Sequence, residues 1–291
     1  MSDNVVVRQL TRGRPHPAAS HFLERLKRKM PNWDVATHTQ KESCPLARNE
    51  AAAQARARKA DFFIMLDDDV VPSDGIMRWP LLGLPVIGML APCYKQGGFC
   101  WNAAELLDKE TLRTVRTPMH DPDCPDQMLP VFLIGTAAML LSKEVLDNQD
   151  LWPLFEYDLY PDGTRRPYGA EDYYLCRKLW DCGVPVHMAT CLARHFVEID
   201  MVEVLASINA HVVDQNVRPP YLLESSLSEY SMRDGKPFGV RGVNNYWAYR
   251  KHFEAAINKE PAEVDVLKPA MVDLDIKELR KNVGRRIRHN A

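Results

Sequence analysis

Apolar positions along the chain switch between two periods. Val5-Val6-Val7 lies in a stretch from Asn4 to Leu10 that reads as a strand rich in β-branched residues. Phe22, Leu23, Leu26 and Met30 then recur at helical spacing and predict a helix from about Ala18 to Met30, with Arg25, Lys27, Arg28 and Lys29 mostly solvated. Trp33 to His38 fits a second strand. Pro45 to Ala60 is alanine-rich, has proline near its start and Ser43 as a candidate cap, and predicts a second helix carrying Arg48, Arg56, Arg58 and Lys59. Phe62-Phe63-Ile64-Met65-Leu66 follows with no polar break, the pattern of a strand buried on both faces. Strand, helix, strand, helix, strand predicts an α/β fold, a mostly parallel sheet flanked by helices.

The pattern continues less regularly. Leu84 to Leu90 reads as another buried strand, and Pro92 to Gly98 as a flexible loop. Leu106 to Pro130 is mostly polar and reads as an exposed excursion; its His120, Asp121, Asp123 and Asp126 are a secondary metal candidate. Val131 to Leu141 is apolar, with Gly135 and Ala137 small enough for a backbone or ligand to approach. Ser142 is placed to cap a short helix through Leu146. Trp152 to Tyr168 is rich in aromatics and turn residues. Gly169 to Trp180 predicts a helix opened by Glu171-Asp172, and Gly183 ends it. Val184 to Met188 reads as a short strand. Met201 to Val213 and Asn244 to Ile257 look helical, Pro219 to Gly239 loop-like, and the segment from Val272 a helix running into a basic tail. The expected organisation is a catalytic domain over 1–200 and a helical C-terminal extension over 201–291.

Composition narrows the function classes. A chain of 291 residues supports one large α/β domain or two smaller ones. The formal net charge of -2 gives no global pull toward nucleic acid or an acidic membrane. No signal peptide and no run near the ~20 apolar residues of a membrane span is visible, so no transmembrane anchor is expected. The seven cysteines are odd in number and scattered, with no Cys-x-x-Cys pair, and read as reduced thiols. A cytoplasmic, soluble enzyme is the expectation.

The chemistry concentrates at Asp67-Asp68-Asp69, directly after the buried strand. Three adjacent carboxylates repel one another and resist desolvation, and a divalent cation is the simplest group to offset them. The competing reading is an acidic turn closed by Pro72-Ser73-Asp74-Gly75. In parallel sheets ligands sit at the carboxyl ends of strands. Both the triplet and the basic Thr11-Arg12-Gly13-Arg14 loop fall at such ends, and are expected on one rim.

Several motifs occur in order: the first strand and its loop, Ala47-Arg48-Asn49-Glu50-Ala51, Leu66-Asp67-Asp68-Asp69-Val70 with Pro72, Gly169 to Cys176 with Glu171-Asp172, and His195. The ordered set resembles the metal-dependent glycosyltransferases of the GT-A fold, especially the family-2-like enzymes with an Asp-x-Asp motif, over about residues 4 to 200. The resemblance implies a nucleotide-sugar donor, UDP-linked on family grounds, and Mn²⁺ or Mg²⁺. Asp69 would bind the cation. Asp67 or Asp68 would share it or contact the ribose, and His195 would be a late metal ligand. Thr11, Arg12 and Arg14 would lie near base and phosphates, and Arg48 would face base or pyrophosphate. Asp172 would be the general base of an inverting transfer, with Glu171 beside the acceptor. The sequence departs from the family at Met188-Ala189-Thr190, where an acid is common, and at Ala170, where glycine is common. His187 competes with His195, helix capping is the structural alternative for the acid pair, and a solvated helix face is that for Arg48. Trp101, Trp152 and Tyr168 are candidate acceptor aromatics, though such spacing suits a core. The acceptor is open: a glycan, a small molecule, a protein or a modified DNA base. The rivals are a sugar nucleotidyltransferase, against which the single Gly13 argues, and a non-catalytic carbohydrate- or nucleic-acid-binding module. Oligomeric state is not readable from the sequence.

Overall fold

The computed structural model describes residues 4–39, 43–95, 98–106, 111–114, 127–165, 169–196, 225–226, 232–233, 236–237 and 240–257. The acidic segment with His120, Asp121, Asp123 and Asp126, together with Tyr168, Met201 to Val213 and the basic tail, lies outside the described residues. The chain divides into two compact units, Met1–Phe253 and Glu254–Ala291, and the described residues belong almost entirely to the first.

The N-terminal elements follow the predicted periods. β1 (Val5–Thr11) is buried along its length. α1 (Pro17–Lys29) starts with proline, whose missing N–H costs nothing at a helix start, and ends in Lys27, Arg28 and Lys29, which suit the negative end of its dipole. Ala19, Phe22, Leu23 and Leu26 form its buried stripe. β2 (Asp34–Thr39), α2 (Cys44–Ala57), β3 (Phe62–Asp67) and β4 (Val70–Val71) follow. Then come β5 (Val86–Leu90), β6 (Pro92–Lys95), β7 (Gly98–Trp101), β8 (Ala103–Leu106), β9 (Thr111–Thr114), β10 (Met128–Pro130), β11 (Leu133–Ile134) and β12 (Ala138–Ser142). The remainder is α3 (Lys143–Asp147), α4 (Glu171–Asp181), β13 (His187–Leu192), β14 (Arg194–His195), β15 (Ser225–Ser226) and α5 (Val240–Ile257).

Among the described residues the central sheet has seven strands in the order β10-β13-β5-β12-β3-β1-β2. β2, β1, β3, β5 and β13 run one way, and β12 and β10 run against them. The protein is thus a mixed α/β fold with a mostly parallel sheet flanked by helices. Alternation along β3 explains its unbroken apolar run. Phe63 and Met65 join the core that contains α2 and α4, while Ile64 and Leu66 join the core that contains α1. Burying each such side chain contributes roughly 1.5–3 kcal/mol. α5 supplies Val243 and Tyr246 to the core of α2 and α4. It approaches α4 closely at Gly242, whose N–H donates to Asp181 Oδ1 at 3.0 Å, and Asn245 Nδ2 donates to Trp180 O at 2.7 Å.

Several expectations need correction. The strand expected over Val184 to Met188 begins only at His187 and runs to Leu192. Pro185 has no N–H for a ladder, and the Val186 carbonyl is taken by Val131 N at 3.1 Å. Leu106 to Pro130 is not simply an exposed excursion: Leu112 is buried, and β9 pairs antiparallel with β8. Neither Ser43 nor Ser142 makes a side-chain cap hydrogen bond, although each precedes a helix. The apolar run Val131 to Leu141 breaks at Gly135–Ala137. β11 joins a second sheet beside β8, and β12 enters the central sheet.

That break relies on Gly88 in β5. A Cβ there would meet Ile134 side-chain atoms at 2.7 and 2.8 Å. Ile134 is fully buried and branched, so it has nowhere to turn. Gly88→Ala is expected to destabilise the fold by about 1–3 kcal/mol. Chemical denaturation should show this loss, and Ile134→Ala in the same chain should recover part of it.

Candidate functional site

The site is built on the rim where β1 and β3 end. Leu10 lies opposite Asp67 in the parallel register, so the loop after β1 and the Asp triplet emerge side by side. They line one pocket of about 340 Å³ with Leu10, Arg12, Cys44, Arg48 and Asp67 to Asp69 on its walls. That is within the range of small-molecule sites, roughly 300–1,000 Å³.

Backbone bonds fix each member of the triplet. Asp67 N donates to Ala137 O at 3.1 Å, His16 N donates to Asp68 O at 2.8 Å, and Phe196 N donates to Asp69 O at 2.8 Å. The last bond belongs to a strand pairing. β14 lies antiparallel to β4, with His195 opposite Val70. The His16 and Phe196 rings stack 4.0 Å apart, tying the loop after β1 to the same segment. His195 therefore arrives beside Asp69, with Nε2 3.3 Å from Asp69 Oδ2 and Nδ1 2.8 Å from Pro92 O. The hydrogen bond to Asp69, then that to Cys93, pushes the imidazole up to about 10. The rival, His187, is buried in the sheet, where it contacts Val86 O and Tyr249 OH, and burial pulls it down to about 4. It is far from the chemistry of the triplet in kind: a neutral core imidazole.

Arg48 stands at the centre. It shares the buried stripe of α2 with Ala47, Ala51, Ala52 and Ala55, and is 5% exposed. The solvated-face reading of Arg48 therefore fails. Nη2 donates to Asp67 Oδ1 at 2.9 Å and Nη1 donates to Glu171 Oε1 at 2.7 Å. Burial would lower the guanidinium pKa, but Asp67, Cys44 and Glu171 outweigh it and hold the group above its ordinary value. Asp67 is raised, by burial first, with Arg48 opposing. Phe155 lies beneath, its ring centroid 5.9 Å from the guanidinium carbon.

The acid pair at the start of α4 splits into two roles. Glu171 turns to Arg48. Asp172 Oδ1 accepts from Tyr173 N at 2.8 Å, so the capping interaction is present. Its carboxyl is raised to about 6, by burial first and by Glu171 second. A Cβ on Gly135 would stand 3.2 Å from Asp172 Oδ2, so glycine leaves that oxygen its space.

The other expected residues are distributed unevenly. Arg12 lines the pocket, whereas Arg14 is exposed and is not among the lining residues. Thr11 is buried, and its Oγ1 accepts from Gly13 N at 3.0 Å, closing a turn that needs the positive φ of Gly13, 104°. Trp101 and Trp152 pack against the core, and Trp152 Nε1 donates to Leu146 O at 2.8 Å.

Three site residues escaped sequence reasoning. Cys44 forms a pocket wall, with its thiol pushed up to about 11 by burial. Asn49 Nδ2 donates to Phe155 O at 2.7 Å and Asn49 Oδ1 accepts from Phe155 N at 3.0 Å, fixing the ring under Arg48. Asn102 Oδ1 accepts from Ala91 N at 2.8 Å, and its backbone carbonyl accepts from Gly135 N at 2.6 Å, which holds the glycine against Asp172. Asn49 and Arg48 lie in one motif, which is the only signal the sequence offered.

Among the described residues, no three His, Cys, Asp or Glu side chains converge as a ready metal cage. The carboxylate of Asp69 and the imidazole of His195 nevertheless form a donor pair chemically suited to Mn²⁺ or Mg²⁺, ions that take further ligands from substrate phosphates. No helix of the described residues is long and apolar enough to cross a membrane.

No family model matches this chain, and no curated protein is similar to it in sequence. Among solved structures it is similar to A197 from STIV (15% identity, TM-score 0.44, covering 67% of this chain and 86% of that one). It is also similar to GalNAc-T7 with UDP, GalNAc and Mn²⁺ (14% identity, TM-score 0.41, 97% of this chain and 55% of that one). A third is a CMP:2-keto-3-deoxy-manno-octonic acid synthetase complexed with CTP (12% identity, TM-score 0.36, 73% of this chain and 98% of that one). The chain spans about half the length of GalNAc-T7. At identities this low, residue roles rest on the geometry of this chain alone.

The raised carboxyl of Asp172 has a consequence for stability. A folded-state pKa of about 6, above the ordinary 3.8, means that the folded state binds the proton more tightly. The resulting stabilisation is complete below pH 4 and is lost as pH rises through 6. Asp172→Asn removes the buried charge and keeps the acceptor for Tyr173 N. Because Asp172 is partly exposed, the variant is expected to be more stable by about 1–2 kcal/mol at pH 8. Urea unfolding at pH 8 and pH 4 checks this, with the difference vanishing at the lower pH.

Proposed function

We propose that this chain is a metal-dependent glycosyltransferase that moves a sugar from a nucleotide sugar to a hydroxyl acceptor. The donor nucleotide is UDP, the transfer inverts the anomeric centre, and Asp172 is the base. Residues 1–200 form the catalytic domain, of the GT-A kind, and 201–291 a C-terminal extension. The observation that carries this reading is the juxtaposition of the two acidic motifs: Asp67 and Glu171 take opposite ends of one buried guanidinium. The triplet is thereby set on the donor side of the site and Asp172 beside it.

Charge accounting supports a cation. Arg48 is already shared by two carboxylates, so Arg12 alone among the pocket's lining residues faces Asp68 and Asp69. A diphosphate brought to this rim needs more positive charge than that. Asp69 and His195 would hold Mn²⁺ or Mg²⁺, with Asp67 or Asp68 sharing it or meeting the ribose. The bound ion would neutralise charge that develops on the departing nucleoside diphosphate.

The chain's own groups do the rest. Thr11, Arg12 and Arg14 present the loop after β1 to base and phosphates. Asp172 accepts the proton of the acceptor hydroxyl as that oxygen attacks the anomeric carbon. A carboxylate with a pKa near 6 is a stronger base than an ordinary aspartate and is still ionised at neutral pH. Gly135 gives its free oxygen room, and Glu171 lies beside it toward the acceptor.

Incubation with UDP-, GDP- and other nucleotide sugars, with and without Mn²⁺, followed by measurement of free nucleotide, tests the reading. Metal-dependent release from one donor is expected. Binding without release would indicate a carbohydrate-binding module, and pyrophosphate formed from a nucleoside triphosphate and a sugar phosphate would indicate a nucleotidyltransferase. Absence of both turnover and metal-dependent nucleotide binding sinks the proposal. Asp69→Ala is expected to abolish the metal dependence of nucleotide binding. Asp172→Asn is expected to bind donor normally and lose transfer by about 10²–10⁴-fold. The wild-type rate should fall as pH drops below about 6, where Asp172 becomes protonated.

A further inference from the structure

We propose that Arg48 is a positioning residue that couples the donor half of the site to the acceptor half, and that it is not a ligand for donor phosphate. The inference rests on the reading of the rim as a metal–nucleotide site, and it departs from the role that the family resemblance implies for this arginine.

Three observations carry it. Both terminal nitrogens of Arg48 are committed to protein carboxylates, at 2.9 Å to Asp67 and 2.7 Å to Glu171. Those carboxylates belong to different elements, the end of β3 and the start of α4, and one guanidinium joins them across a sequence separation of 123 residues between Arg48 and Glu171. The arginine is also locked in place. It is 95% buried by its 5% exposure, sits over Phe155, and the next residue, Asn49, holds the Phe155 backbone from both sides. A buried guanidinium in this setting cannot swing to a phosphate without leaving one carboxylate buried and unpaired, which costs several kcal/mol. The planar fork of arginine suits a two-carboxylate bridge, and lysine, a single point charge, does not.

The bridge makes the two halves share one charge. When Glu171 is neutral, Arg48 is left wholly to Asp67, and the carboxylate at the end of β3 is less available to a cation or ribose. When Glu171 is charged, Arg48 divides between them. The state of the acceptor side is thus felt at the donor side. The same bridge sets the first turn of α4, so it also fixes where Asp172 stands relative to the triplet.

The test is a double-mutant cycle read by Mn²⁺-dependent UDP binding in calorimetry, on the full chain. Glu171→Gln touches no donor group in this site, yet it is expected to weaken UDP binding by about 5-fold, as for residues in one ion-pair network. In an Arg48→Lys background the same Glu171 substitution is expected to change affinity less than 2-fold, since the bridge is already gone. Arg48→Lys itself should bind UDP within a few-fold of wild type and lose kcat by about 10²-fold, the cost of a misplaced reacting group. The proposal is overturned if Glu171→Gln has the same effect in both backgrounds, or if Arg48→Lys raises the donor KM by orders of magnitude while kcat holds, as a phosphate ligand would. If the Arg48→Lys chain unfolds, the comparison passes to Asn49→Ala. Loosening the Phe155 support should then lower kcat at unchanged UDP affinity, and unchanged kcat overturns the proposal. Wild-type protein that binds no UDP with Mn²⁺ present refutes the functional reading instead.

Discussion

One buried arginine organises the candidate site. Arg48 brings a positive charge into a region that holds Asp67, Glu171 and Asp172, and its two hydrogen bonds join the end of a strand to the start of a helix. Charges are seldom buried without partners, because desolvation costs more than a single weak contact returns. Here each part needs the others. Without Arg48 two carboxylates would be buried unpaired, and without the carboxylates the guanidinium would be. The arrangement is weak evidence for net stability and strong evidence for position: removing any member leaves an uncompensated charge. The raised carboxyl of Asp172 is the residue of this crowding, since burial and Glu171 together outweigh the help from Arg48.

The scaffold explains why this arginine can serve. β1 and β3 are parallel neighbours, so the loop after one and the triplet after the other leave the sheet on the same rim. β12 inserts antiparallel between β3 and β5, and Ala137, just before it, takes the N–H of Asp67. The short β4–β14 pairing then closes the far side, carrying His195 to Asp69 while the His16–Phe196 stack ties the loop after β1 to the same segment. Gly88 and Gly135 leave the space that the crossing strands and Asp172 occupy. The reactive geometry is thus a property of strand neighbours. Loop composition alone would not produce it.

Local pattern made much of the fold legible. An unbroken apolar strand, two helices with buried stripes at helical spacing, and a glycine-ended helix opened by two acids are set by nearest-neighbour chemistry. The elements over β1 to β3 and α4 accordingly lie close to where the pattern puts them. The misplacements have the same origin. Pro185 moved a strand start because ladder donors depend on a partner strand, and the run from Val131 to Leu141 divided between two sheets because a pattern does not say which sheet receives it.

By itself the sequence determined that an acidic triplet ends a buried strand, that a basic loop shares its rim, and that a second acid pair opens a later helix. Each follows from side-chain periodicity and backbone direction, which are local. Only the tertiary structure decided that Arg48 is buried and shared, that His195 and not His187 reaches Asp69, and that Cys44, Asn49 and Asn102 wall or brace the site. Those outcomes depend on which strands lie side by side and on where burial turns a surface charge into an internal one. Such facts arise between residues distant in the chain, and no local pattern carries them.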